Sequence, residues 1–235
     1  MKNKILLVIL LIISVCSVFS QSYRFEKDSS PFINLQYSTP VPDSILWQSY
    51  YYKVPLGFGF VIDGQRTDSV ELTDVGAVRF DTRTADHQNV FVFFGFGATL
   101  FPCTQGLLQT VVSYNTTGAP GARVFTAEYR NCIFAAEDSC KDVVNFQIRL
   151  LEAGHIIETH IGSVKATVPE SEYINGQGPV IGLLNANAEN QSDFVMLING
   201  IPENPGIIRT GNIEDLTSLT GSPGSGIIYR FIPVE

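Results

Sequence analysis

"NFQIRLLEAGHIIETHIG", residues 145–162, is the stretch whose reading decides the fold. It divides into two apolar-alternating runs around Ala153-Gly154, and glycine supplies the positive φ that a tight reversal needs. The expected element is a β-hairpin. Side chains alternate across a strand, so the polarity pattern selects one register over its neighbours. Pairing Arg149 with Glu158 gathers Phe146, Ile148, Leu150, Ile157 and Ile161 on one face. Gln147, Arg149, Glu158 and His160 then share the other.

The same stretch holds two of the three histidines of the chain, with a glutamate between them. Zinc-binding H-E-x-x-H places its histidines four apart on a helix. Here His155 and His160 are five apart on a strand, so they point to opposite faces. The expectation is a solvent-facing cross-strand set with a modest Arg149–Glu158 pair, not a metal site.

Outward from the hairpin, no long segment carries a 3.6-residue period. Short runs rich in Val, Ile, Phe and Tyr alternate with turn residues, which is the all-β pattern. "YYYKVPLGFGFVIDG" ends at the hairpin signal Asp63-Gly64, and "SVELTDVGAVRF" turns at Asp74-Val75-Gly76. The expected architecture is an antiparallel β-sandwich, jelly-roll-like, as a single domain over 47–235. Residues 21–46 are more polar and read as an N-terminal arm or edge strand.

Residues 1–20 read as a signal peptide, with Lys2 and Lys4, an apolar run from Ile5 to Ile13 and small residues before Gln21. The run is shorter than the ~20 residues of a bilayer span. Val15 is bulky for a lipoprotein cut before Cys16. Removing Lys2 and Lys4 leaves 13 of 15 basic residues against 23 acidic ones, a net charge of −10. Such an acidic surface repels phosphate backbones, so nucleic acid is not an expected partner. No transmembrane segment is expected in the mature chain. Export favours disulfides. Cys132 and Cys140 flank a short loop and are the expected pair, worth roughly 2.5 kcal/mol in the chain-entropy model. Cys103 is left as a buried thiol or an alternative partner.

Catalytic motifs are sparse. No G-x-S-x-G elbow occurs. "GSPGSG", residues 221–226, precedes an apolar β run and reads as a turn, since a phosphate loop must open a helix. Glu152 and Glu158 sit about 20 Å apart on an extended hairpin, too far for a glycosidase pair. "DTRTADHQN", residues 81–89, offers Asp81, Asp86 and Asn89 as oxygen ligands for Ca²⁺, although the spacing matches no standard calcium loop and a solvated turn competes. Trp47 and Tyr51 are the candidate ligand-binding aromatics, in a cluster whose other rings are expected to pack.

"WQSYYYKVPLGFGFVIDGQRTDSVELTDVGAVRF", "EYRNC" and the closing "GSGIIYRFIP" carry a resemblance. Together with "VNFQIRLLEAGHIIETHIG" they resemble the secreted N-terminal β-sandwich domain common in extracellular, sorting-domain-bearing proteins of the Bacteroidota. The resemblance covers Trp47 to Pro233 and implies export, to the cell surface or the periplasm, since the chain stops at Glu235 where such proteins continue. It brings no catalytic residues. "DSI" from Asp43 and "DSV" from Asp68 are similar to O-glycosylation sequons of that group. The resulting expectation is a non-catalytic module for adhesion or glycan recognition at the cell envelope, with a polysaccharide or an envelope protein as partner. The alternatives are a structural or assembly component of the envelope, and a hydrolase with a site built from loops.

Overall fold

The computed structural model describes residues 22–82, 89–103, 108–134, 140–167, 173, 176–187, 194–211 and 216–234. These form fifteen strands and one short helix. The strands are β1 (Ser22–Ser29), β2 (Thr39–Pro40), β3 (Tyr51–Ile62), β4 (Gln65–Thr73), β5 (Ala77–Asp81), β6 (Asn89–Gly97), β7 (Leu100–Pro102) and β8 (Val111–Thr117). They continue with β9 (Val124–Phe134), β10 (Val143–Leu151), β11 (Ile156–Val164), β12 (Val180–Asn187), β13 (Phe194–Asn199), β14 (Gly206–Thr210) and β15 (Ile227–Val234). One sheet runs β1-β15-β11-β10-β9-β8-β2, with β7 also on β9, and the other runs β14-β13-β12-β6-β5-β4-β3. All of these pairings are antiparallel, so the all-β sandwich is the fold.

The deciding hairpin has the expected register, Arg149 opposite Glu158. Phe146, Ile148, Leu150, Ile157 and Ile161 are all fully buried in the core between the sheets. Phe146 stacks on Tyr129 of its own sheet at 4.6 Å and on Phe96 of the other at 5.4 Å. Asp63 and Gly64 both take positive φ, 47° and 71°, as a two-residue type I′ turn requires. The β4–β5 turn closes on Gly76 at φ 72°, where a Cβ would lie 2.3 Å from the Phe96 carbonyl oxygen. Helix α1 (Asp43–Ser49) was not legible as a helical pattern. Its seven residues are too few to be stable alone, and it is held by burying Leu46 and part of Trp47.

The opposite face of the hairpin is not open to solvent. Gln147, Glu158 and His160 are buried, as is Glu128 on β9. The reason is the segment after β1, which crosses the outer face of this sheet. Ser30 N–H donates to Gly226 O, Phe32 lies over Gly162, and Ile33 O accepts from Gln147 Nε2 at 2.8 Å. Leu35 N–H donates to Glu128 Oε2 at 2.7 Å, and Gln36 O accepts from Asn115 Nδ2. From β15 to β8 is four strand spacings, about 19 Å, which six extended residues can just cover. Buried Glu128 and Gln147 thus replace water for the backbone of the strap.

The disulfide corrects the expected pairing: it joins Cys103 to Cys140, not Cys132 to Cys140, and Cys132 is a free, buried thiol. The cause is a bulge. Tyr129 pairs with Phe146 and Cys132 with Val144, so Arg130 and Asn131 together oppose Asn145. Asn131 takes φ 54°, a conformation asparagine tolerates. The extra residue reverses the in–out alternation and turns Cys132 into the core. Cys103, at the end of β7, lies with Ile133 and Cys140 in a separate cluster, its Cα 5.6 Å from that of Cys140. Across a separation of 37 residues, the chain-entropy model gives about 4 kcal/mol.

Mass mapping of the non-reduced protein should return a Cys103–Cys140 linked peptide, with Cys132 alkylated only after unfolding. A Cys132–Cys140 peptide would contradict this packing. Gly64→Ala, at an open turn with nothing within 4 Å, should cost about 1 kcal/mol from φ alone. Gly76→Ala adds a backbone collision and should cost at least twice that in a denaturant titration.

Candidate functional site

Two polar clusters lie on the outer faces of the sandwich, and they differ in access. The first is a row beside the strap. Thr126, Arg149, Glu158, Arg230 and Glu26 are paired in register across β9, β10, β11, β15 and β1, so charges alternate in sign from Arg149 onward. Arg149 donates to Gln147 Oε1 through Nε and Nη2. Glu158 is bound instead by Arg230 Nε at 2.6 Å and His160 Nε2 at 2.7 Å, so the simple Arg149–Glu158 pair is replaced by a network. Burial alone would raise the Glu158 carboxyl, but the bonds from His160 and Arg230 hold it below the usual glutamate value. Burial lowers His160, against the Glu158 bond that favours its charged form. Gln147 joins this cluster to the strap: its Oε1 accepts from Arg149 while its Nε2 donates to Ile33 O.

His155 belongs to neither cluster. It takes φ 52° in the turn Ala153–His155 rather than entering the strand. Its Nδ1 accepts the Val61 N–H at 3.3 Å, and its ring meets Phe60 edge-on at 5.4 Å. Burial and the Arg66 charge lower its pKa, with Glu152 opposing. Among the described residues no three His, Cys, Asp or Glu side chains gather as a metal set. Glu152 is engaged elsewhere: the Arg123 guanidinium bonds it at 2.6 Å and holds its carboxyl at about 2. Asp74 has a carboxyl raised by burial and sits in the β4–β5 turn, with backbone N–H groups as its hydrogen-bond partners.

The second cluster is open. On the outer face of β3, β4 and β5, Lys53 is opposite Glu71, and Glu71 opposite Arg79. Glu71 is buried and bonds Arg79 Nε. The Arg79 guanidinium carbon in turn lies 4.9 Å from the centre of the Tyr51 ring. Tyr51 is 46% exposed, yet its ring is held by a cation that is itself held by a buried carboxylate. Further along the same face, starting at Lys53, lies a shallow depression of about 410 Å³ lined by Lys53, Arg66, Thr67, Asp68, Ser69 and Asp81.

The expected site residues are distributed as follows. Tyr51 faces outward beside Lys53, and Asp81 lines the same depression. Asp86 lies outside the described residues, as does the Asn89 side chain, so the calcium set is represented by Asp81 alone. Trp47 is not on this face; it packs against the core from α1, with its Nε1 buried and without a hydrogen-bond partner. Arg79, Glu71 and Arg66 escaped sequence reasoning, although Glu71 and Arg79 flank the legible Asp74–Gly76 turn, which places them opposite each other. Gly221–Gly226 is the expected turn into β15.

A family model described as "NIDO related" matches residues 22–233. The chain belongs to the NIDO-related family. The matched span includes the strap, both sheets and the open β3–β5 face. The NIDO-related domain fits an extracellular-type module without catalysis of its own. Together with the Cys103–Cys140 disulfide it fits an oxidising compartment, extracellular or periplasmic. Among the described residues no helix is long and apolar enough to cross a membrane. No curated protein and no solved structure matches the chain.

The lowered groups set the acid side of the stability curve. Unfolded histidine titrates near 6.5 and glutamate near 4.3. His155, His160 and Glu158 all bind protons more weakly when folded, so each contribution is complete above the unfolded pKa and lost as pH falls through the folded one. Denaturant midpoints should fall in two segments, beginning near pH 6.5 and near pH 4.5. A His155→Gln/His160→Gln double variant should lose the upper segment and keep the lower.

Proposed function

We propose that this domain is an exported recognition module of the cell envelope, of the kind borne by secreted Bacteroidota proteins, and that its β3–β5 face binds glycan. The observation that carries the proposal is the Tyr51 ring. A half-exposed aromatic fixed by Arg79 and Glu71 presents a rigid apolar plate. The neighbouring depression supplies hydroxyl, carboxylate and cationic groups at its edge. Sugars offer an apolar ring face and a rim of hydroxyls, so the two surfaces match. A calcium ion at the Asp81–Asn89 loop belongs to the same proposal, since Asp81 borders the depression and Ca²⁺ takes oxygen ligands.

The second reading is a structural or assembly role with an envelope protein as partner. It is favoured by β14, an edge strand of only five residues whose Ile207 is exposed, followed in space by exposed Ile201 on the β13–β14 connection. Edge strands can accept a partner strand.

The mature protein from Gln21 should bind members of a polysaccharide and glycan array, assayed with and without Ca²⁺. Tyr51→Ala should reduce binding about tenfold, equivalent to about 1.4 kcal/mol, with the thermal midpoint unchanged. A blank array on folded protein, with capture by a strand peptide instead, would move the assignment to the assembly reading.

A further inference from the structure

We infer that the glycan bound by the β3–β5 face is an oligosaccharide spanning two subsites that meet at Asp68, not a single sugar; this rests on the glycan reading above. The register of β3 against β4 jumps from Pro55–Ser69 to Phe60–Thr67. Leu56, Gly57, Phe58 and Gly59 are therefore opposed by Asp68 alone, an irregular bulge that interrupts the β3–β4 ladder. The bulge is braced from the other sheet. Thr116 Oγ1 donates to Leu56 O at 2.8 Å, Arg123 Nη1 donates to Gly57 O, and His155 accepts from Val61 N–H.

The bracing leaves a second depression of about 350 Å³, lined by Pro55, Gly57, Phe58 and Asp68. Asp68 thus borders both this hollow and the one that starts at Lys53. Gly57 supplies the φ of 77° that the bulge requires, and its Cα edge lines the second hollow. Gly59 serves differently. A Cβ on it would lie 2.2 Å from Arg66 Nε, so glycine lets the guanidinium lie flat on the strand beside the first hollow.

Along β3 the exposed positions Tyr51, Lys53, Pro55 and Gly57 share one face. The four extended steps from Tyr51 to Pro55 span about 13 Å, and the bulge at Gly57 carries the line further, beyond the width of one pyranose ring. A single sugar stacked on Tyr51 would leave Asp68 and the second hollow without a role. A chain of sugars laid along β3 reaches both.

The test is calorimetric titration of the full mature protein with matched probes: glucose, N-acetylglucosamine and galacturonic acid, each as monosaccharide and as linear tetrasaccharide. The tetrasaccharide of the preferred sugar should bind at least tenfold more tightly than its monosaccharide. Asp68→Asn, at an exposed position bordering both hollows, should weaken tetrasaccharide binding by a larger factor than monosaccharide binding and so remove most of that gain. Equal affinity for one and four sugars, with Tyr51→Ala still weakening both, would overturn this inference while the glycan reading stands. No binding by any probe, or binding indifferent to Tyr51→Ala, would overturn both.

Discussion

Asn145 holds the centre of the larger sheet in a shape that regular pairing could not produce. It is opposed by Arg130 and Asn131 on β9 and by Gly162 and Ser163 on β11, so its two neighbours bulge at the same level. Its side chain serves both. Oδ1 accepts the Asn131 N–H at 2.9 Å, and Nδ2 donates to the Ser163 carbonyl and hydroxyl. A buried amide with each hydrogen bond made is a specific constraint, because no register slip preserves all three. From it follow the inward turn of Cys132, the release of Cys140 to bond Cys103, and the close fit of Phe32 over Gly162.

The two outer faces show the same sign alternation put to different ends. Beside the strap, Arg149 and Arg230 flank the buried Glu158 in register, and buried charges persist only with such partners. On the β3–β5 face, Lys53, Glu71 and Arg79 form the corresponding row, but nothing among the described residues crosses over it. The buried Glu71 spends its bonds on orienting Arg79, and Arg79 on orienting Tyr51. A surface ring fixed at this level of detail loses little conformational freedom on meeting a ligand.

Local pattern carried much of the fold. The alternation in residues 145–162 gave the Arg149–Glu158 register, and Gly154 marked its turn as Asp63-Gly64 marked that of β3 and β4, because side-chain parity and positive φ are properties of a few adjacent residues. Tyr51 and Asp81 were legible as candidates because their residue types are unusual where they stand. Trp47 was not separable from Tyr51 by the same logic. Its burial depends on α1, a helix too short to leave a periodic signature.

By itself, the sequence determined the strands, most of their turns, the inward apolar faces and the acidic balance of the chain. Only the tertiary structure decided which polar residues see solvent, because the strap that covers Gln147 comes from more than a hundred positions away. It likewise decided the disulfide. Proximity in sequence favours Cys132 with Cys140, but a single inserted residue at Asn131 reverses the direction of the Cys132 side chain. Such bulges are selected by hydrogen bonds between distant strands, and a pattern read along one strand cannot show them.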